Sequence, residues 1–514
     1  MRFLIPYLLV FLSCFFACTS DMPMNKNLPK TNSDYRAESH RPLFHFTPDS
    51  MWMNDPNGMV YYEGEYHLFY QYYPDSTVWG PMHWGHTISK DLVHWERLPI
   101  ALYPDSLGYI FSGSAVVDWK NTSGFGVDDN PPMIAIFTHH LAEGEKAGAN
   151  DFQYQSIAYS NDRGRTWTKY AENPVLKNPG IKDFRDPKVI WHEASEKWIM
   201  VLAAFDRIKI YSSTNLKSWT FESDFGEGFG AQGRPWECPD LFPLLVEDTD
   251  ETKWVMLVSI GKGASNGGSG TQYFVGDFDG KTFTSDYPPE QTLWVDWGKD
   301  NYAGVTWSDV PAQLGERIFI AWMSNWQYAQ KVPSERWRSA MTIPRSLTLR
   351  STESGVRLFS NAVSGLESLR KSSHTIELGD RPMRLPSLAE LDLTFDNAVE
   401  EDILLRLSNN LGESIIFGYD ARVESFFVNR NNAGKMDFSE DFGGKHYAER
   451  LLKDEIIKMH IFIDRSSIEI LADEGATNLT ELFFPSKDFT QLEIATYADL
   501  TAGTLYELSS IWND

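Results

Sequence analysis

The feature that most constrains the fold is a long succession of short apolar runs between residues 43 and 345. The runs are rich in aromatic and β-branched residues and are bounded by Gly, Pro, Asn or Asp; examples are GMVYY, PMIAIFTHH, KWIMVLAAF, KWVMLVSI and RIFIAWM. Runs of this kind are typical of β-strands. No long stretch with helical periodicity interrupts them, so this part of the chain is predicted to be all-β.

A turn-like segment recurs between the runs. SKDLVHW (residues 89–95), SNDRGRTW (160–167) and SSTNLKSW (212–219) each combine Ser, then Asp or Asn, then Trp, and GDFDGKTF (276–283) is a weaker copy. A polar residue that bonds its own backbone, followed by an aromatic residue, is typical of a hairpin turn. One such hairpin in each sheet unit predicts a β-propeller, with chance recurrence of turn residues as the alternative.

The C-terminal part has a different pattern. From about residue 371 to 514, segments such as AELDLTFD, DILLRLS and SIIFGYD alternate apolar and polar residues, which predicts a β-sandwich. We therefore predict a propeller over residues 43–350, a linker over 351–370 and a sandwich over 371–514. No catalytic group is predicted in the sandwich.

The N-terminus has the pattern of an export signal. Arg2 precedes an apolar run over residues 3–17 that is short for a membrane span and typical of a signal peptide. Cys18 follows this run directly, which predicts a bacterial lipoprotein that is lipidated at Cys18 and anchored at the periplasmic face or the cell surface. A signal peptide cut elsewhere, giving a soluble secreted protein, is the alternative. Polar residues 19–42 are predicted to be a flexible tether.

Charge and cysteine content exclude several functions. The formal net charge is −25, which disfavours binding to nucleic acids and to anionic membranes but leaves a neutral polymer unaffected. Beyond the signal, Cys238 is the only cysteine, so neither an internal disulfide nor a cysteine-based metal site is expected. The 12 His residues show no ligand spacing, and no metal or other cofactor is predicted.

Three motifs of the predicted propeller place an acid directly before Pro or two residues before it. They are MNDPNG with Asp55, FRDPKV with Asp186 and WECPDL with Glu237, each just before a strand-like run and separated by about one or two propeller repeats. A single Asp-Pro is more often a turn. Equivalent points of successive blades converge on the central channel, so the three acids are predicted to meet there. One ionised and one protonated carboxyl group would suit glycoside hydrolysis, and Arg185 would help to keep a neighbour ionised.

These motifs, in this order, resemble those of glycoside hydrolase family 32, which includes invertases, levanases, inulinases and fructan β-fructosidases. FYQYYP, FSGSAV and AWMSNWQYAQKVP are further matches, and the resemblance covers about residues 43–514. It implies a five-bladed β-propeller followed by a β-sandwich, and retaining hydrolysis of terminal β-fructosyl units of levan, inulin or sucrose. By resemblance, Asp55 is the nucleophile, Glu237 the acid/base and Asp186 the transition-state stabiliser.

The resemblance also implies a set of sugar-binding residues. They are Asn54, Gln71, Trp79, Phe111, Ser112, Arg185 and Trp326. For each aromatic member, core packing between blades is the alternative. An endo-acting levanase, a fructosyltransferase on the same site and a fructan-binding protein without activity are the alternative functions. A fructose-containing oligo- or polysaccharide is the expected partner, and the sequence does not indicate an oligomeric state.

Overall fold

The computed structural model describes Tyr35 and residues 37–128, 130–379 and 381–512. The predicted signal peptide, Cys18 and most of the predicted tether lie outside the described residues. Within them the chain forms five small sheets followed by two larger ones, so the predicted all-β fold of propeller and sandwich is confirmed. No helix in the described part of the chain is long and apolar enough to span a membrane.

The five small sheets are the blades of the propeller, numbered I to V in chain order. Blade I contains β1 (Met51–Tyr62), β2 (Glu65–Tyr73), β3 (His83–Ser89) and β4 (Trp95–Leu102). Blade II contains β5 (Tyr109–Val117), β6 (Met133–His140), β7 (Gln153–Ser160) and β8 (Thr168–Lys169). Blade III contains β9 (Phe184–His192), β10 (Lys197–Ala204), β11 (Arg207–Ser213) and β12 (Thr220–Phe225). Blade IV contains β13 (Trp236–Leu245), β14 (Thr252–Ile260), β15 (Gly270–Phe278), β16 (Phe283–Ser285) and β17 (Leu293–Trp294).

Blade V completes the ring. It contains β18 (Tyr302–Thr306) and β19 (Arg317–Met323), then β21 (Ala340–Met341), β22 (Arg345–Thr352) and β23 (Gly355–Ala362), while β20 (Trp337–Arg338) leaves it to join blade I. There β20 pairs in parallel with Met51 and Trp52 of β1, so the end of the propeller closes onto its beginning. Strand β23 lies in the stretch predicted as a linker, and the propeller therefore extends beyond residue 350.

The four recurrent turn segments are the hairpins between the third and fourth strands of blades I to IV. In each, the Asp or Asn side chain accepts hydrogen bonds from backbone N–H groups two to four residues further on. The accepting residues are Asp91, Asp162, Asn215 and Asp279. The sequence prediction that these segments mark successive propeller units is confirmed.

Apolar faces of neighbouring blades hold the ring together. Ile199 and Val201 of blade III belong to one buried cluster with Met256 and Val258 of blade IV. All four are almost fully buried, and each such aliphatic side chain contributes about 1.5–3 kcal/mol to folding. This packing fixes the inner edges of the blades around the central channel.

The innermost strands of the blades are β1, β5, β9, β13 and β18, and each carries a β-bulge. In every case two residues of the inner strand lie opposite one residue of the second strand. The bulged pairs are 54–55, 111–112, 186–187, 238–239 and 303–304. A bulge bends its strand and redirects a side chain, and bulges are common beside active sites. The five bulges form one ring around the channel, and this ring positions the site described below.

The sandwich consists of two six-stranded sheets. One contains β24 (Arg370–Thr375), β26 (Ala389–Asp396), β31 (Ile457–Asp464), β32 (Ser467–Ala472), β33 (Thr477–Leu482) and β35 (Asp499–Leu508). The other contains β25 (Met383–Arg384), β27 (Ile403–Ser408), β28 (Ser414–Asp420), β29 (Ser425–Asn432), β30 (Lys445–Glu449) and β34 (Gln491–Thr496). The helical segments are short: α1 (Ala142–Lys146) and 3-10 turns at Glu193–Ser195, Ala312–Leu314, Ala329–Lys331, Ser364–Leu369, Ala421–Val423 and Asp473–Gly475.

The segment just before the propeller packs onto the sandwich. Backbone N–H groups of Leu43 and Phe44 donate to the Asp464 carboxylate at 2.8 and 3.0 Å. Arg41 is fully buried and donates to Thr47 and to the carbonyl of Pro48. The end of the predicted tether is therefore not a free linker, because it is held by buried charged groups that a reading of local polarity does not detect.

Candidate active site

The three predicted acids lie at the bulges of three inner strands or beside them. Asp55 is in the bulge of β1, Asp186 is in the bulge of β9, and Glu237 directly precedes the bulge of β13. The sequence prediction placed each acid before a strand, and this detail is wrong. Pro was interpreted as a strand break, but a bulge leaves a residue outside the hydrogen-bond ladder and so accommodates Pro inside a strand.

Asp55 is contacted by side chains of two other blades, II and IV. Its Oδ2 accepts a hydrogen bond from the Ser112 hydroxyl of β5 at 3.0 Å and lies 3.6 Å from the Cys238 Sγ of β13. Its Oδ1 is a buried atom with no hydrogen-bond partner among the described residues. A buried carboxylate oxygen without a protein partner is costly, so this atom is poised to interact with a ligand.

Asp186 faces the same space from blade III. The backbone N–H of Cys238 donates to its Oδ2 at 3.0 Å, and the Cys238 thiol is 3.6 Å from that oxygen. Cys238 therefore lies between Asp55 and Asp186 and touches both. Asp186 and Cys238 have φ angles of 64° and 45°, which are strained values for residues with a side chain. Such strain costs about 1–3 kcal/mol and is typical of functional sites.

Glu237 is fixed by one cation and one phenol. Arg185 donates to its Oε1 through Nη2 at 2.9 Å and through Nε at 3.2 Å. The Tyr302 hydroxyl of β18 donates to its Oε2. Arg185 is in turn anchored by Asp183 at 2.6 Å. Each of the five inner strands thus contributes a side chain to one polar cluster.

Burial and mutual repulsion shift the pKa values of this cluster. Burial raises the pKa of Asp55 to about 6, the charge of Glu237 adds to the rise, and the side chains of Asn54, Ser112 and Cys238 act in the opposite direction. Burial likewise raises the pKa of Asp186 to about 7, opposed by the charge of Arg185. Converging carboxyl groups with raised pKa values are typical of a site that uses both ionised and protonated acids.

Two predicted polar ligands lie against the acids. Gln71 is buried on β2 in the stretch opposite the bulge of β1, and its Nε2 has no hydrogen-bond partner among the described residues. Asn54 is buried, and its Oδ1 accepts a hydrogen bond from Trp52 Nε1 at 2.7 Å. The orphan amide of Gln71, like the orphan oxygen of Asp55, suits recognition of ligand hydroxyl groups.

Aromatic side chains form two borders of the cluster. Trp79 is 37% exposed, and its ring packs edge-on against Phe111, the neighbour of Ser112 in the bulge of β5. Trp326 stacks on Trp52 with 6.0 Å between ring centroids and also contacts Trp322. The predicted residues Trp79, Phe111 and Trp326 are thus brought to the same end of the propeller, and their role in sugar binding stays a prediction.

Sequence reasoning missed several members of the cluster. Tyr302 lies in no motif that was recognised, and its contact with Glu237 joins residues 65 positions apart. Cys238 was noted only as the sole cysteine beyond the signal, although its N–H and thiol contact acids of the site. Asp183 was not singled out, yet its place two residues before Arg185 in KDFRDP is a local signal that could have identified it. Among the described residues, no group of His, Cys, Asp and Glu is arranged to hold a metal ion.

Comparison with known proteins identifies the family. The pattern of the glycosyl hydrolases family 32 N-terminal domain matches residues 45–361, and that of the family 32 C-terminal domain matches residues 356–513. The chain belongs to glycosyl hydrolase family 32. It is therefore a glycoside hydrolase, and its two domains correspond to the two domains of the family.

Individual relatives support this assignment over nearly the whole chain. A levanase from Bacillus subtilis (strain 168) is 48% identical over 500 residues, which cover 94% of this chain and 72% of the levanase. An extracellular exo-inulinase from Aspergillus awamori is 40% identical over 518 residues, which cover 93% of this chain and 96% of the inulinase.

Solved structures agree with the fold. A crystal structure of the exo-inulinase from Aspergillus awamori superimposes with a TM-score of 0.85 at 38% identity, covering 93% of this chain and 99% of that one. A β-fructofuranosidase from Schwanniomyces occidentalis in complex with fructosyl-erythritol gives a TM-score of 0.83 at 35% identity, covering 94% and 100%.

Proposed function

We propose that this family 32 enzyme is a retaining β-fructosidase that removes terminal fructosyl units from fructans and sucrose by double displacement. The observation that carries this proposal is the convergence of Asp55, Asp186 and Glu237, with one oxygen of Asp55 buried and unpaired. Retaining glycosidases need two carboxyl groups on one scissile bond, one as nucleophile and one as acid/base. Relatives named levanase, exo-inulinase and β-fructofuranosidase support a fructosyl substrate.

In the first step, Asp55 attacks the anomeric carbon of the fructosyl unit, and the bond from that carbon to the leaving oxygen breaks. Glu237 donates its proton to the leaving oxygen, so the aglycone departs as a neutral alcohol. The product is a fructosyl ester on Asp55. Asp186 is the proposed acceptor of hydrogen bonds from ring hydroxyl groups, which strengthen as positive charge develops on the sugar.

In the second step, Glu237 takes a proton from water, and the oxygen of that water attacks the anomeric carbon. The ester bond to Asp55 breaks and fructose leaves with its original configuration. Arg185 and Tyr302 hold the two oxygens of Glu237 in place for both proton transfers. Asn54 in the bulge of β1 and Gln71 opposite that bulge are proposed ligands of the sugar hydroxyl groups.

The variant Glu237→Gln tests the acid/base assignment. General acid catalysis contributes about 10²- to 10⁴-fold and matters most for a poor leaving group. Hydrolysis of sucrose should therefore nearly stop, whereas an activated aryl fructoside should release a burst of phenol followed by slow turnover. Azide, which needs no general base, should restore part of the turnover. Equal losses on both substrates without a burst would assign the role elsewhere, and a binding protein would show no turnover at all.

We further propose that the enzyme acts from the chain end of its polymer. The likeness to exo-inulinases over nearly their whole length supports exo action. Digestion of levan and of inulin should give fructose alone from the first minutes, and a ladder of oligosaccharides would establish endo action instead. Glucose and fructose released from sucrose in equal amounts would indicate hydrolysis, and a deficit of fructose would indicate fructosyl transfer.

We propose, finally, that the protein is exported and anchored by a lipid on Cys18. The apolar run that ends at Ala17-Cys18 supports this assignment. Cells that express the full chain should incorporate labelled fatty acid into the protein and retain it in the membrane fraction. The variant Cys18→Ala should lose both the label and membrane retention, and retention of both would contradict the proposal.

A further inference from the structure

The three acids differ in which domain supports them. The hydrogen-bond partners of Asp55 and Asp186 belong to the propeller, as the contacts with Ser112 and Cys238 show. Glu237 is different, because its partner Tyr302 begins β18, and the backbone just before Tyr302 is bonded to the sandwich. The N–H groups of Trp297 and Asp300 donate to carbonyls of Asn478 and Thr480 in the sandwich strand β33 at 2.8 and 3.1 Å.

One sandwich residue lies at the centre of this junction. Arg430 of β29 is fully buried and pairs with Asp300 at 2.6 Å, two residues before Tyr302. It also donates to the hydroxyl of Tyr328 at 2.9 Å, and that hydroxyl donates to Asp300 at 2.6 Å. Asp300 in turn accepts the N–H of Leu482 at 2.9 Å. A closed set of charge-assisted bonds of this kind fixes geometry more strongly than isolated bonds do.

The same junction holds the loop that carries Trp326. Tyr328 is part of that loop, and the neighbouring Asn325 donates to the carbonyl of Lys299 at 2.8 Å. Arg430 therefore contacts both the segment that leads to Tyr302, through Asp300, and the loop of Trp326, through Tyr328. In the loop between β14 and β15 of blade IV, Asn266 exchanges hydrogen bonds with the backbone of Tyr447 in the sandwich.

We propose that the sandwich domain positions the acid/base half of the active site, and that Arg430 is the positioning residue. The chain of contacts runs from Arg430 through Asp300 to Tyr302 and ends on Glu237. This inference rests on the proposed role of Glu237. Without Arg430, two buried carboxylates, Asp300 and Glu481, lose the guanidinium that pairs with both, and the segment before Tyr302 shifts. Glu237 then no longer meets the leaving oxygen with the geometry that proton transfer needs.

The dependence on the leaving group tests this proposal. Arg430→Met should lower kcat/KM for sucrose by about 10- to 100-fold but that for an activated aryl fructoside by less than about three-fold. Tyr328→Phe, which removes only the bridging hydroxyl, should act in the same direction with a smaller effect, and it decides the question if Arg430→Met does not fold. In the double variant with Tyr302→Phe, Arg430→Met should add almost nothing, because both act through the same contact.

The matched control is Arg450→Met. Arg450 is as buried as Arg430 and pairs with Asp473 at 2.6 Å, but its hydrogen-bond partners lie within the sandwich. Loss of Arg450 should lower the free energy of unfolding, and it should change kcat/KM for sucrose and for the aryl fructoside by the same small factor. Arg430 is a structural residue only if Arg430→Met and Tyr328→Phe lower kcat/KM by the same factor for both substrates. The same conclusion follows if the effect of Arg430→Met on kcat/KM for sucrose is as large in the Tyr302→Phe background as in the wild type. Failure of Glu237→Gln to discriminate between the substrates would instead overturn the proposed role of Glu237.

Discussion

Two clusters of buried carboxyl groups, one in the channel and one beside the sandwich, have pKa values that move in opposite directions. In the channel of the propeller, burial raises the pKa of Asp55 and of Asp186 to about 6 and about 7. At the junction with the sandwich, burial acts on Asp464 and Glu469 in the same way, but His45 and Arg345 outweigh it and lower both pKa values. His45 bridges the two junction carboxylates at 2.8 and 2.9 Å.

The pKa values differ because of the hydrogen-bond and ion-pair partners of the carboxyl groups, and not because of how deeply these groups are buried. Each junction carboxylate has a full set of donors, whereas the channel acids crowd together and Asp55 keeps one oxygen without a partner. Fully paired acids rigidify a structure, while acids under mutual repulsion store free energy that a ligand can release. The cluster of His45, Arg345, Asp464 and Glu469 therefore serves stability, and the channel serves chemistry. The predictions below test this division.

Asp55→Asn should have the largest effect on activity. It removes the nucleophile and keeps the shape, so kcat/KM for sucrose should fall by about four orders of magnitude or more. Thermal unfolding should show a folded protein that is no less stable than the wild type, since a repelling charge is gone. Asp279→Asn, in an exposed hairpin turn, is the matched control and should leave kcat/KM unchanged. Normal turnover in Asp55→Asn would remove the basis of the proposed function.

Glu469→Gln should have the opposite pattern. The variant breaks the buried ion pairs of Glu469 with Arg345 and His45, which keep only Asp296 and Asp464, and this should lower the free energy of unfolding by about 3–5 kcal/mol. The folded fraction should keep its kcat/KM, because Glu469 makes no contact with the channel acids. Glu493 pairs with Arg406 at the surface of the sandwich, and Glu493→Gln should cost less than about 1 kcal/mol. Denaturant titrations of the two variants give the comparison.

Asp186→Asn and Glu469→Gln should change the free energy of unfolding with opposite dependence on pH. A raised pKa means that the protonated form of Asp186 favours folding, so its contribution is present below pH 4 and is lost as pH rises through about 7. At pH 8 the variant should be more stable than the wild type by on the order of 2 kcal/mol, and the gap should close near pH 4. Arg345 and His45 lower the pKa of Glu469, so the sign is reversed, and the advantage of the wild type over Glu469→Gln should shrink only as pH falls below the ordinary pKa of a glutamate.

Ser112→Ala should have the smallest effect of these variants, a shift in the pH dependence of kcat/KM. Asp55 must be ionised to attack, so kcat/KM should fall as pH drops through about 6. Loss of the Ser112 hydrogen bond should move this acid limb to higher pH by about half a unit to one unit. Ser114→Ala is a suitable control because Ser114 is also buried on β5 but accepts from Val189. If the acid limb of the kcat/KM profile has the same midpoint in Ser112→Ala as in the wild type, the ionisation of Asp55 does not determine that limb.

Parts of the fold could be predicted because their cause is local. Asp91, Asp162 and Asn215 bond backbone groups a few residues away, so the hairpins of the first three blades leave a signature in the sequence. Blade V turns between Thr352 and Gly355 without this signature. The number of five blades therefore came from the family resemblance and not from the repeat itself.

The supports of the site could not be predicted, because their causes are distant. Tyr302 and Glu237 meet only when blades IV and V close, and Arg430 lies 130 residues from Asp300. Nothing in the local sequence distinguishes Arg430 from a surface arginine. The acids themselves were found because each stands beside or near Pro in a short motif, although those prolines mark bulges rather than strand ends.

The central claim is that Asp55 is the nucleophile at the axis of the propeller, and a trapped intermediate tests it most directly. Glu237→Gln should form the fructosyl ester quickly from an activated aryl fructoside and hydrolyse it slowly, because the general base is missing. Mass spectrometry of the quenched and digested variant should then find one fructosyl group on the peptide that contains Asp55, and none when Asp55 is also replaced by Asn. A fructosyl group on Asp186, or no adduct during a clear burst, would contradict the account.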